Sequence, residues 1–115
     1  MTKQEASAKY NIPIEILDEY ESWGLCGEVK KIMGEWHYDD TDLERLSMIM
    51  TLHYIGFDNS EVERYMRLLM EGSSTEGERM RMLEKLRKNA LDEIHFKEKQ
   101  LENMDYLRHK IRNQK

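Results

Sequence analysis

The side chains able to do chemistry in this 115-residue chain are four histidines, one cysteine and many charged groups. His37, His53, His95 and His109 show no metal-ligand spacing, and Cys26 has no second cysteine to complete a thiolate site or an internal disulfide. No Gly-rich phosphate loop, nucleophile elbow or paired-carboxylate arrangement occurs. The residues therefore imply no catalytic group, no metal and no cofactor, and the chain reads as a non-enzyme. Charge remains. Lys3, Lys9, Lys30 and Lys31 are candidate phosphate contacts, with a solvated surface as the alternative for each. Between Pro13 and Trp23 there is no Lys or Arg at all, while Glu15, Asp18, Glu19 and Glu21 crowd the same stretch.

The formal net charge is −5 and is unevenly spread. Residues 1–75 hold 7 Lys or Arg against 15 Asp or Glu, and residues 76–115 hold 11 against 8. A nucleic-acid binder normally shows the opposite bias where it meets phosphate, so the acidic front speaks against an ordinary duplex-binding surface. With 39% hydrophobic and 36% charged residues, the chain has one domain's worth of sequence and a thin core. One Pro, six Gly and abundant Glu, Lys, Leu, Met and Arg point to an all-α fold with room for a small β wing. Such a composition implies helices whose apolar faces are finished by a partner subunit. No cationic start leads into an apolar run of the signal-peptide kind, and Leu46 to Phe57, the most apolar window, is too short to span a bilayer. A cytoplasmic protein with no membrane role is expected.

The elements that must position these charges can be read from caps and periodicity. Thr2 and Glu5 have capping-box spacing and open a short helix to about Lys9, with Ala6 and Ala8 as packing residues. Pro13 suits the first turn of a second helix, in which Ile14, Leu17 and Tyr20 share a face before Gly24 ends it. From Leu25 to Tyr38 the period is lost; Gly27, Gly34, Trp36 and Tyr38 fit either a hairpin or a loop. Thr41 and Glu44 predict the cap of a third helix ending at Gly56, and Asp58 and Glu61 that of a fourth, whose face is Val62, Tyr65, Met66 and Leu69. After Thr75 the pattern is one helix of about 40 residues, roughly 60 Å long. Its heptad seam runs through Met80, Leu83, Arg87, Ala90, Ile94, Lys97, Leu101, Met104, Arg108 and Ile111. The basic interruptions favour a short or antiparallel coiled coil, or one packing partly on its own globular half.

The runs EASAKYNIPIEILDEYESWGL and GEWHYDDTDLERLSMIMTLHYIGFDNSEVERYMRLL, followed by a long terminal helix, resemble the MerR family of transcriptional regulators. Ala8-Lys9 and Ile12-Pro13 match its turn region. Leu17, Tyr20, Glu21, Gly24 and Leu25 match the tail of its recognition helix, and Gly34, Tyr38, Asp42, Leu43 and Leu46 its wing exit, with Gly56-Phe57 closing the set. The resemblance implies a winged helix-turn-helix domain over residues 1–72 and a coiled-coil dimerisation helix over 73–115. It implies a homodimer that binds double-stranded DNA and acts in transcription, in relatives by distorting an overlong promoter spacer.

The departures fall on positions that touch DNA in the family. Asp18 and Glu19 stand where the family has the Arg and first Tyr of T-L-R-Y-Y, and Glu35 and Trp36 where the wing has Y-R. A carboxylate facing phosphate repels it and must be desolvated. The residues carried over as the DNA-contact set are Lys3, Lys9, Glu15, Asp18, Glu19, Lys30, Lys31, Trp36 and Tyr38. The dimerisation set is Met80, Leu83, Ala90, Ile94, Leu101, Met104 and Ile111. Trp23, Trp36 and Tyr38 fit either an exposed aromatic patch for a protein partner or packing of the wing on the helices. The inverted charge keeps a second reading open: an interaction module that docks on a basic protein partner or heterodimerises with another regulator.

Overall fold

The computed structural model describes residues 1–25, 31, 32 and 35–114, with the backbone alone at 31, 32, 35 and 36. Cys26, Gly27, Lys30 and Gly34 lie outside the described residues. Helix α1 (Lys3–Tyr10) is capped by Thr2, whose hydroxyl accepts the Glu5 amide, as the sequence predicts. It runs one residue past Lys9 and ends on Asn11 in the left-handed region at φ 54°, a conformation Asn tolerates better than most residues. Ala6 is buried and Ala8 exposed. Helix α2 (Ile14–Ser22) starts behind Pro13, which serves as the cap rather than the first helical residue. Leu17 and Tyr20 are fully buried, but Ile14 is 41% exposed, so the expected three-residue face is anchored by two.

Strands β1 (Lys31–Ile32) and β2 (Glu35–Trp36) pair antiparallel, Lys31 opposite Trp36 and Ile32 opposite Glu35. Of the two alternatives for this stretch, its described residues take the paired strands of the hairpin. An isolated bridge joins Thr2 to His37, and the Tyr38 amide donates to the Met1 carbonyl at 2.7 Å, so the chain after the hairpin lies along its beginning.

Helix α3 (Asp40–Tyr54) corrects the expected cap. Asp39 and Asp42, not Thr41 and Glu44, form the capping box, each side chain accepting the other's amide at 3.0 Å. The earlier start places Asp42 under Tyr20, a long-range contact that cap spacing cannot reveal. Helix α4 (Asn59–Glu71) has the predicted Asp58 and Glu61 box. Its buried face is Val62, Tyr65, Met66 and Leu68, with Leu69 half-buried at the edge. Leu17, Tyr20, Leu46, Ile49, Leu52, Phe57, Val62 and Met66 make up most of the core.

A 3-10 turn (Ser73–Thr75) follows. The Thr75 hydroxyl, buried, donates to the Leu68 carbonyl at 2.6 Å and receives Arg79 Nε at 3.0 Å. Helix α5 (Glu76–Arg112) has 37 residues, about 55 Å at 1.5 Å per residue, and buries none of them. The chain divides into two compact units, Met1–Arg79 and Met80–Lys115. No helix among the described residues is long and apolar enough to cross a membrane.

Candidate functional site

Helix α2 carries the acidic run Glu15, Asp18, Glu19 and Glu21, and its two buried anchors decide where those side chains point. With Leu17 and Tyr20 inward, the 3.6-residue period leaves Glu15, Asp18 and Ser22 on the exposed side and puts Glu19 and Glu21 at the flanks. Each flank meets another element. Glu21, with only 13% of its side chain exposed, accepts the Tyr38 hydroxyl and lies 3.5 Å from Lys3 Nζ. Lys3 also donates to Asp18. The Asp18 hydrogen bond, foremost, holds the Lys3 ammonium above its ordinary value of 10.5, with burial opposing and the Glu21 charge assisting. On the other flank, Glu19 Oε2 lies 3.5 Å from His53 Nε2 of α3. Three of the four carboxylates thus have a cationic or protic neighbour; among the described residues Glu15 has none.

The C-terminal end of α2 is fixed from two helices. Arg67 of α4 donates to the Trp23 carbonyl at 2.9 Å while holding Glu63, and Arg45 of α3 donates to the Leu25 carbonyl at 2.9 Å. Cations at a helix's carbonyl end satisfy acceptors the helix cannot use and oppose its dipole. The Tyr20 hydroxyl, then the charges of Asp42 and Asp39, raise the Arg45 pKa against partial burial. Sequence reading missed both arginines. They lie 20 and 44 residues from their acceptors, which are backbone atoms with no compositional signature.

The expected contact residues do not all reach the surface. Lys9, Glu15 and Asp18 are exposed, Lys9 lying over the Tyr10 ring at 5.5 Å to its centroid. Tyr38 is only 4% exposed, its ring 6.5 Å from that of Tyr20, so of the two aromatic alternatives it takes the packing one. Trp23 is half-buried. Lys31 and Trp36 are register partners in the hairpin backbone. Beside α3, the Tyr10, Ile12, Leu43, Met50 and Tyr54 side chains line an apolar groove flanked by Asp40 and Glu44, and Tyr54 is 91% exposed. In the second unit Met80, Ile94, Leu101, Met104 and Ile111 are each more than half exposed; Ala90 is exposed and Leu83 half-buried. Among the described residues no cluster of His, Cys, Asp or Glu could hold a metal ion.

Comparison with known proteins adds a lineage to this geometry. The model of the MerR HTH family regulatory proteins matches residues 1–69. Among solved structures the chain is similar to HiNmlR, a MerR family regulator lacking the sensor domain, bound to promoter DNA. The two are 26% identical with a TM-score of 0.65, over 91% of this chain and 84% of that one. A MerR family transcriptional regulator from Bacillus thuringiensis is 23% identical with a TM-score of 0.62, covering 91% of this chain and 93% of its own. A further structure assigned to that family, from Listeria monocytogenes, is 22% identical with a TM-score of 0.68, over 92% and 81% of the two chains. No curated protein matches the chain.

Proposed function

The chain belongs to the MerR helix-turn-helix family of regulatory proteins, whose model covers its first 69 residues, and from that premise we propose that it regulates transcription as a homodimer bound to duplex DNA. Helix α2 is the reading helix, α1 and the β1–β2 hairpin flank it, and α5 pairs the two copies. Residues 1–72 serve as the winged helix-turn-helix domain and 73–115 as the dimerisation helix. The likeness to HiNmlR, which is bound to promoter DNA, supports the reading.

The observation that carries it is the engagement of Asp18, Glu19 and Glu21 on α2 by neighbouring side chains. An acidic reading helix would repel phosphate in proportion to the charge it leaves uncompensated. Lys3 lies against Asp18 and Glu21, and His53 against Glu19, so Glu15 alone faces outward without a neighbour among the described residues. Lys9 remains exposed and available to phosphate, while Lys31 lies in the hairpin. An exposed carboxylate can also accept from the cytosine amino group, so Glu15 and Asp18 retain a base-reading role once phosphates are anchored elsewhere. Burial gives Tyr38 a different part from contact: it holds Glu21 and packs on Tyr20.

One observation favours the second reading, an interaction module docking on a basic protein or on another regulator. The Lys3 ammonium, the nearest cation to α2, is already held by two carboxylates. The deciding experiment is a duplex titration at low salt against the protein's own promoter region and a random duplex, repeated as salt is raised. Selective binding that weakens with salt supports the regulator. No binding at low salt, where phosphate contacts are strongest, replaces it with the interaction module.

A further inference from the structure

We propose that His53 is a positioning residue for α2, acting through Glu19. The inference deepens the DNA-binding reading, on which its consequence at DNA rests, by naming the contact that fixes the reading helix on α3. Glu19 Oε2 and His53 Nε2 are both sealed from water, lie 3.5 Å apart, and neither has a hydrogen-bond partner among the described residues. A buried carboxylate oxygen without a donor and a buried ring nitrogen without a partner are each unfavourable. A proton on Nε2 directed at Oε2 relieves both.

Among the described residues the surroundings leave this pair to itself. His53 occupies the last turn of α3, where the unpaired carbonyls of the helix end favour a cation. On α2 and α1, Asp18, Glu21 and Lys3 are engaged with one another, and Glu15 is exposed. On α4, Arg67 is taken up by Glu63 and the Trp23 carbonyl. On α3 itself Arg45 donates to the Leu25 carbonyl, and the adjacent ionisable residue, Tyr54, is 91% exposed. Glu19 is therefore the charge that meets the imidazole. It sits between Asp18 on the exposed face and Tyr20 in the core, so its hold on α3 fixes the turn of α2 that presents Asp18.

The test uses the full chain, His53→Gln, Glu19→Gln and the double variant, all close to the native side-chain sizes. Urea unfolding is followed at neutral pH. The expected result is a stability advantage of the native chain over His53→Gln that disappears in the Glu19→Gln background. Additive effects of the two substitutions would overturn the proposal. Duplex affinity is measured on the same proteins at low salt, and His53→Gln is expected to lower it several-fold in the native background and to leave it unchanged in the Glu19→Gln background. Coupled unfolding without DNA binding leaves the tether standing and removes the regulator reading. DNA binding with additive unfolding removes the tether alone.

Discussion

The hydroxyl of Tyr20 on α2 donates to Oδ1 of Asp42 on α3 at 2.7 Å, and both side chains are fully buried. Asp42 is also the N3 residue of the α3 capping box, so one carboxylate begins α3 and receives the core face of α2. Tyr20→Phe keeps the ring and takes a donor from a buried carboxylate. Loss of a buried hydrogen bond to a charged group costs about 1–3 kcal/mol. An unfolding free energy lowered by that amount, read as a lower urea midpoint at unchanged slope and helix content, is the expected outcome; an unaltered midpoint would show that the bond does not hold α2 on α3.

Lys3 offers a test in the alkaline range. Its ammonium is held above its ordinary value by Asp18 and Glu21, so its contribution is fully present below the unfolded-state pKa and is lost as pH rises through the higher folded-state value. Asp18 is 56% exposed, which screens the pair and limits it to about 1 kcal/mol or less. Lys3→Met should therefore be slightly less stable than the native chain at neutral pH, and the two should converge above the raised value. Chemical unfolding at a series of pH values checks this, and a gap that widens with pH would contradict the assignment.

The two family positions occupied by acids should respond unequally. Asp18 is exposed and Glu19 is turned toward His53. Asp18→Arg should raise low-salt duplex affinity on the order of tenfold and steepen the salt dependence by about 0.9 for one added phosphate contact. Glu19→Tyr should add little of this and instead disturb the α2–α3 contact. Salt-dependent titrations of the two single variants measure the asymmetry; equal gains would mean that both side chains face the duplex.

Caps and the long terminal helix were legible because they are local. The Thr2, Asp58 and long-helix assignments needed only a few neighbouring residues, and the MerR resemblance rested on joint spacing across the chain. Asp39 was missed because four candidate cap residues, Asp39, Asp40, Thr41 and Asp42, stand in a row, and choosing among them requires knowing that Tyr20 arrives on Asp42. The acidic helix was legible as composition but not as electrostatics. Whether Glu19 and Glu21 repel a ligand depends on His53, Tyr38 and Lys3, which reach them only in the fold. Arg45 and Arg67 left no trace, since their acceptors are carbonyls.

The dimer is the remaining element of the proposed function, and α5 supplies its own internal control. Seven of the ten seam positions between Met80 and Ile111 are apolar, and Ile94 at the middle is 52% exposed in the single chain. Burying such a side chain fully contributes about 1.5–3 kcal/mol, and a carboxylate placed there would have to be desolvated without a partner. Ile94→Asp is expected to raise the dimer dissociation constant roughly a hundredfold, about 3 kcal/mol. Tyr106 is 59% exposed but lies off the seam, at the heptad position opposite it, so Tyr106→Asp should leave the association unchanged. Sedimentation equilibrium at micromolar concentration separates the cases. A native monomer under those conditions removes the pairing role of α5, and equal loss from both variants would place the contact on a different face of the helix.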